Sequence, residues 1–284
     1  MIDSNMYPHF ISEICVDPER VEFRKTVTGI YKPRIVPLTF ALSRMDYAGI
    51  SKSLLHALDL TTTTGQTVVS NEEIRTLIDL APDRFFGLAS VDPFRKDALE
   101  VVESGFRDLK LHGLKLDPGK QYFYPNDSSI FPIYELCIRY NRPVVFQGGI
   151  SLEPQALAKY TQPIYLDDVL VKFPGLRVGL TNFGWPWTRE TATLMLKHPN
   201  LYADTALLYF DSADEFYPYV LKNTLGPLWI DRALSRQVMF GTCSGHFNQI
   251  RQAKAIRSVD FRPQTMARLL EINVLEFLGL EVGS

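Results

Sequence analysis

Short apolar runs recur along the chain, at 1–3, 54–60, 85–91, 109–116, 143–146, 176–181, 201–203 and 237–241. They are rich in Val, Leu, Ile and Phe and are bounded by Gly, Pro, Asn or Asp, the pattern of strands buried on both faces. Segments with helical spacing lie between them. In 71–84, Ile74, Leu77, Ile78 and Leu80 are apolar, and Glu72 and Glu73 occupy a first turn, where the helix dipole favours acids. In 92–105, Pro93 suits a first helical turn, Asp92 a helix N-cap and Gly105 a C-cap. The segment 131–143 ends with Asn141 before Pro143, and 187–200 and 262–280 are likewise amphipathic. Eight strand-like runs in 284 residues, each followed by a helical stretch, give about 35 residues per unit. Strict alternation of this kind predicts an α/β fold with a parallel sheet, here a (β/α)8 TIM barrel occupying 1–284 as one domain. A doubly wound open sheet is the alternative, but the chain lacks the Gly-rich turn that such a fold often carries after its first strand.

Composition narrows the classes of function. The chain is 46% hydrophobic and 22% charged with a net charge of -2, and no dense Lys/Arg run suggests a nucleic-acid partner. No apolar stretch is long enough to span a bilayer, and the first ten residues lack the basic and apolar regions of a signal peptide. Cys15, Cys137 and Cys243 are isolated and odd in number, which fits a reducing compartment. The expectation is a cytoplasmic protein acting on a small molecule, possible homodimers included, with no nucleic-acid or membrane partner.

In a barrel the reactive groups stand at the C-terminal ends of the strands. The first run ends in Asp3-Ser4-Asn5-Met6-Tyr7-Pro8-His9, and the fourth contains His112, Lys115 and Asp117. The fifth ends in Gln147-Gly148-Gly149, the sixth in Thr181-Asn182-Phe183-Gly184-Trp185-Pro186-Trp187. The seventh ends in Asp204, the eighth in Thr242-Cys243-Ser244-Gly245-His246.

These stretches, with "LHGLKLDP", "YPND", "RPVVFQGG", "FGWPW", "HPNLYADTA" and "VMFGT" in this order, resemble the amidohydrolase superfamily. The likeness is to its amidohydrolase-related branch, similar to aminocarboxymuconate-semialdehyde decarboxylase, and it runs from Met1 to Leu280. It includes a closing helix, "LLEINVLEFLGL", in which an Asn is common. The resemblance implies a metallo-dependent-hydrolase-like barrel that binds one divalent metal. The ligands would be a His-x-His after the first strand, a His ending the fifth, a His ending the sixth and an Asp ending the eighth. At the matching positions this chain has Asn5 and Tyr7, Gln147, Asn182 and Cys243. Neutral amides are weak ligands for zinc or manganese, so no family-type metal and no other cofactor is expected.

The candidates for chemistry each carry two readings. Cys243, ahead of a predicted helix and three residues before His246, is a possible nucleophile or an inert lining residue. Alternation along a strand puts Lys115 and Asp117 on one face and His112 on the other, so that Lys115 and Asp117 form either an acid/base pair or a structural ion pair. Asp204 and His246 are also acid/base candidates; Asp204 otherwise orients pocket groups or caps a turn, and Asp3 either holds the first loop or takes part in catalysis. Asn5, Tyr7, Gln147 and Asn182 are expected to bind substrate, with Trp185 and Trp187 as a pocket wall. Tyr209, Phe210, Phe216, Tyr217 and Tyr219 would form a lid or a subunit contact. His9, His56 and His198 are read as structural. Two functions follow. One is a metal-independent hydrolase or lyase, a decarboxylase for instance, acting on a small carboxylate or ring-containing molecule. The other is a catalytically silent barrel that binds a small molecule or supports a related partner.

Overall fold

A computed structural model describes residues 1–30, 32–151, 153–206 and 212–281. Its strands are β1 (Ile2–Met6), β2 (Lys52–His56), β3 (Leu58–Leu60), β4 (Gln66–Val69) and β5 (Phe85–Ser90). They continue with β6 (Gly113–Leu116), β7 (Val144–Phe146), β8 (Val178–Leu180), β9 (Leu201–Asp204) and β10 (Val238–Met239). Eight of them form one parallel sheet in the order β1-β2-β5-β6-β7-β8-β9-β10. The sheet curls into a nearly closed barrel, and the Ser4 N–H donates to Phe240 O at 2.8 Å across the seam. Each of the eight apolar runs supplies one barrel strand. The run at 54–60 supplies more: after β2 it continues as β3, which pairs antiparallel with β4 in a separate hairpin.

Local chemistry sets the element ends. The helix Asn71–Leu80 starts with a capping box between Ser70 and Glu73, which satisfies two otherwise orphaned backbone donors. Three expectations need correction. The run at 109–116 is strand only from Gly113, because Lys110 adopts a left-handed φ of 56° and turns the chain first. Asp92 does not cap a helix; its carboxylate receives the Phe94 N–H and the backbone and hydroxyl of Thr62, and the helix begins later at Ala98. Gly105 lies inside that helix, not at its end. A Cβ there would stand 3.0 Å from the Ala89 Cβ, so the missing side chain lets the helix approach β5.

The barrel is packed below and open above. At its N-terminal end Ile2, Leu54, Phe86, Leu88, Val145 and Met239 form a cluster with Val274, Phe277 and Leu278 of the closing helix. Gly179 in β8 makes room for this plug: a Cβ would lie 2.9 Å from the Phe277 ring. The Asn of the closing helix, Asn273, donates to Ser235 O and Val238 O and ties the helix to β10. No helix among the described residues is long and apolar enough to cross a membrane. The functional groups are therefore concentrated at the other end of the barrel.

Candidate active site

The strand ends deliver two layers of polar groups. The lower layer is sealed. Lys115 points from β6 into the barrel and is fully buried, and its Nζ donates to Gln147 Oε1 at 3.1 Å. Burial pushes this ammonium down to about 8, against the pull of Asp117 and Asp204. Asp204, at the end of β9, accepts from Asn5 Nδ2 at 2.9 Å, from the Asn182 N–H at 2.8 Å and from the Ala206 N–H at 3.0 Å. Burial nevertheless lifts its carboxyl to about 7. Asp3 is equally enclosed: it receives Thr242 and Gln249 side chains and the Asn5 N–H, and burial raises it to about 6. His56 completes the layer, with Nε2 on Ser4 O, and burial lowers it to about 3, so the ring is neutral.

Asn182 leaves the β8 strand in a left-handed conformation (φ 60°, ψ 23°), as does Phe183 after it. Asn tolerates this region better than most residues because its short amide can bond locally. Here Nδ2 donates to Gly148 O at 3.2 Å while the backbone N–H is held by Asp204. The amide side chain thus ends a buried strand because it closes a turn and also faces a cavity.

That cavity, about 350 Å³ in volume, forms the upper layer. Gln147 and Asn182 are part of its floor, and Tyr7, His9, Cys243 and His246 form one wall. The Tyr7 hydroxyl donates to Gln147 Oε1 at 3.1 Å, so one amide oxygen takes both the phenol and the Lys115 ammonium. Tyr7 stacks on His9 at 5.3 Å and meets His56 and His246 edge-on. The opposite wall is charged. Lys120 Nζ lies 2.9 Å from Glu153 Oε1 and 3.8 Å from Asp117 Oδ2. Burial alone would lower the Lys120 ammonium, but Glu153 and Asp117 hold it above its ordinary value. Asp117 is raised by burial, which outweighs the attraction of Lys120 and Lys115. Its Oδ1 also receives the Lys120 N–H and caps a short helical turn.

Several site expectations change accordingly. Asp117 pairs with Lys120, one turn along, and makes no direct ion pair with Lys115. His112 packs at 5.0 Å on Phe86, away from the mouth. Cys243 does not precede a helix N-terminus, since the next helix starts at Gln249 behind an Asn248 cap. Burial, reinforced by Glu153 and Asp204, raises its thiol, and its contact with His246 Nδ1 is a long 3.8 Å. Burial also holds His246 and His9 below the ordinary imidazole value. Trp185 and Trp187 do not line this cavity; Trp185 packs at 5.9 Å against Phe216, and its carbonyl receives the Ile150 N–H. Tyr209 and Phe210 lie outside the described residues.

Sequence reasoning missed His9, Lys120 and Glu153 as site residues. His9 follows β1 within the same exit loop as Tyr7, which is the signal it carried. Lys120 and Glu153 sit beyond the strand ends, on the turn after β6 and the loop after β7, and only the fold brings them together.

The donor set does not suit the divalent ion of metal-binding relatives. The Gln147 oxygen already carries a cation, Asn5 and Asn182 offer only neutral amide oxygens, which are weak ligands for zinc or manganese, and Tyr7 and Cys243 are held in their neutral forms. Among the described residues no three His, Cys, Asp or Glu side chains are placed to hold a metal.

Similar folds are found across nearly the whole chain. An uncharacterized TIM-barrel protein of Bordetella bronchiseptica is 22% identical, with 98% of each chain covered and a TM-score of 0.76. The 5-carboxyvanillate decarboxylase of Sphingomonas paucimobilis is 16% identical over 99% of each chain, with a TM-score of 0.67. The 4-oxalomesaconate hydratase of Rhodopseudomonas palustris is 18% identical over 98% of this chain and 95% of that one, with a TM-score of 0.66. No curated protein sequence matches the chain significantly. The family model described as amidohydrolase matches residues 22–280, and with that match the chain belongs to the amidohydrolase family.

Proposed function

We propose that this protein is a metal-independent lyase or hydrolase acting on a small carboxylate or ring-containing molecule held at the barrel mouth. One observation carries the reading: Gln147 and Asn182, in place of family metal ligands, are not bonded to each other and close off no dead core, but face a cavity of about 350 Å³ that also holds Asp117. The decarboxylase and hydratase names of the structural neighbours are consistent with a carboxylate ligand.

The roles follow from position. Lys115 and Asp204 lie beneath the cavity and act as positioning residues. The ammonium and the Tyr7 phenol both polarise the Gln147 amide, which makes its Nε2 a stronger donor toward a substrate oxyanion. Asp204 fixes Asn182 and Asn5. Asp117 and His246 are among the titratable groups that touch the cavity and are assigned here to proton transfer. In a decarboxylation the C–C bond to the carboxylate breaks, its electron pair stays on the substrate carbon, and Asp117, in its protonated form, delivers a proton there as CO2 leaves. In a hydrolysis Asp117 or His246 takes the proton of an attacking water.

A silent barrel that binds its ligand without converting it is the second reading. It is favoured by the protonated Cys243 thiol and by the burial of Lys115 and Asp204 out of substrate reach. The deciding experiment incubates chelator-treated protein with a panel of hydroxybenzoates and related carboxylates and follows conversion by chromatography, alongside Asp117→Asn. Conversion that survives chelation and is lost in Asp117→Asn supports the enzyme. Ligand-induced stabilisation without conversion supports the silent barrel, and activity that requires stoichiometric metal refutes metal independence.

A further inference from the structure

A second cavity, about 450 Å³ in volume, adjoins the first, and the two share Tyr7, Ile30 and His246 as wall residues. Its chemistry is different. The barrel-mouth cavity balances Lys120 against Asp117 and Glu153, whereas the second one is lined by Lys32, Arg34 and Arg44 and by no acidic residue. Among the described residues, none of these three cations has an ion-pair partner. Arg34 lies over the Phe40 ring with its guanidinium carbon 5.3 Å from the centroid. A cation–π contact of this kind uses the face of the guanidinium and leaves its N–H groups available to an anion. Arg44 projects from the helix Leu38–Ala48, which also carries Phe40, so two of the cations share one support. His246, on the shared wall, has its Nε2 3.8 Å from Glu153 Oε1 of the first cavity and makes no hydrogen bond through it.

We propose that this basic vestibule is an anion subsite, and that the ligand of the barrel mouth is elongated and carries a second anionic group, a carboxylate or phosphate, which Arg34, Arg44 and Lys32 receive. The identity of the barrel-mouth ligand as a carboxylate rests on the function proposed above; the anion subsite itself does not. A compound with one charged end would leave three cations facing only water. A compound charged at both ends would gain charge-assisted hydrogen bonds at the second end and be drawn in by the local field.

The test uses the full-length protein and calorimetric titration with suberate and octanoate, which have the same chain length and differ by one carboxylate, and with pyrophosphate as a probe for the vestibule alone. In the wild type suberate is expected to bind at least about tenfold more tightly than octanoate, the scale of one charge-assisted contact. In Arg34→Gln/Arg44→Gln that ratio should fall toward unity and pyrophosphate binding should be lost. Lys32→Gln should reduce both partially, and added salt should weaken the wild-type preference. These side chains are exposed or half-buried, so unchanged melting temperatures will show that the variants fold. Pyrophosphate binding and its loss in the variants, with weak suberate binding, would assign the vestibule to phosphorylated ligands. An equal affinity for suberate and octanoate with no pyrophosphate binding, or a preference that persists in the variants, overturns the subsite. Conversion of monocarboxylates without anion binding in the vestibule would sink this inference alone. Anion binding there without conversion of any carboxylate would sink the enzymatic reading alone.

Discussion

Asp204 Oδ1 accepts the backbone N–H of Asn182 at 2.8 Å and so holds a non-glycine residue in the left-handed region at the edge of the cavity. The carboxylate that does this is itself buried and lifted to about 7. A raised carboxyl means that the folded chain binds a proton which the unfolded chain has already lost. Stability therefore falls as pH rises from about 4 to about 7, by up to about 4 kcal/mol for a shift of this size. Asp3 acts in the same direction up to about 6. In Asp204→Asn the slope of unfolding free energy against pH over this window should shrink, leaving the part due to Asp3. The new amide can still accept from Asn182, and Asn5, whose Oδ1 is buried without a partner, can turn to accept from it. Urea titrations at several pH values measure this, and an unchanged slope would show that Asp204 is not the titrating group.

Lys115 produces the opposite trend. Its depressed value means that the unfolded chain binds the proton more tightly between about 8 and 10.5, so stability rises with pH through that window. Below pH 8 the buried ammonium costs about 3 kcal/mol, a figure that follows from the size of the shift. Lys115→Met should abolish the alkaline rise and stabilise the protein at pH 7 by on the order of 1–3 kcal/mol, since Gln147 Oε1 keeps its bond from Tyr7. Activity or ligand affinity should drop at the same time, which would mark the lysine as retained for function. Destabilisation at pH 7 would instead identify it as a structural cation.

The eight strands were legible because β-α alternation and the length of each apolar run are local properties of the chain. Where the backbone takes an unusual turn the pattern misleads: Lys110 with its left-handed φ cut the fourth strand short, and Gly105 serves packing inside a helix. The sealed layer of Asn5, Lys115 and Asp204 fell on recognisable strand ends. The Lys120–Glu153 pair did not, because it joins two loops separated by 33 residues, and no short-range pattern encodes such a contact. Sequence position also cannot distinguish a group under the cavity floor from one on it, and that difference separates Lys115 from Asp117.

Cys243 should be a poor nucleophile. Burial and the nearby Glu153 and Asp204 carboxylates raise its thiol, so the reactive thiolate is scarce at neutral pH. At pH 7 its alkylation by iodoacetamide should be at least about tenfold slower than that of glutathione, with Cys243→Ser serving to subtract the signal of Cys15 and Cys137. Rapid labelling with a midpoint below pH 8 would restore it as a candidate nucleophile.

Gly149 ties the two amide-bearing loops together. Its φ is +77°, and a Cβ would stand 2.2 Å from the Trp185 carbonyl oxygen and 3.0 Å from the Trp185 nitrogen. Gly65 has nearly the same φ, +78°, but open space around it. Gly65→Ala should therefore cost only the left-handed backbone strain, about 1–2 kcal/mol. Gly149→Ala adds a collision with backbone that cannot rotate away, and should cost a further 1–3 kcal/mol or so. Comparing the two variants in chemical denaturation separates strain from crowding. The crowding has a functional consequence, because the loop pushed aside carries Gln147 and the one it strikes carries Asn182. A folded Gly149→Ala protein should lose affinity for barrel-mouth ligands, whereas Gly65→Ala should keep it. Equal stability losses in the two variants would mean that the loops part freely and that the spacing of the two amides is set elsewhere.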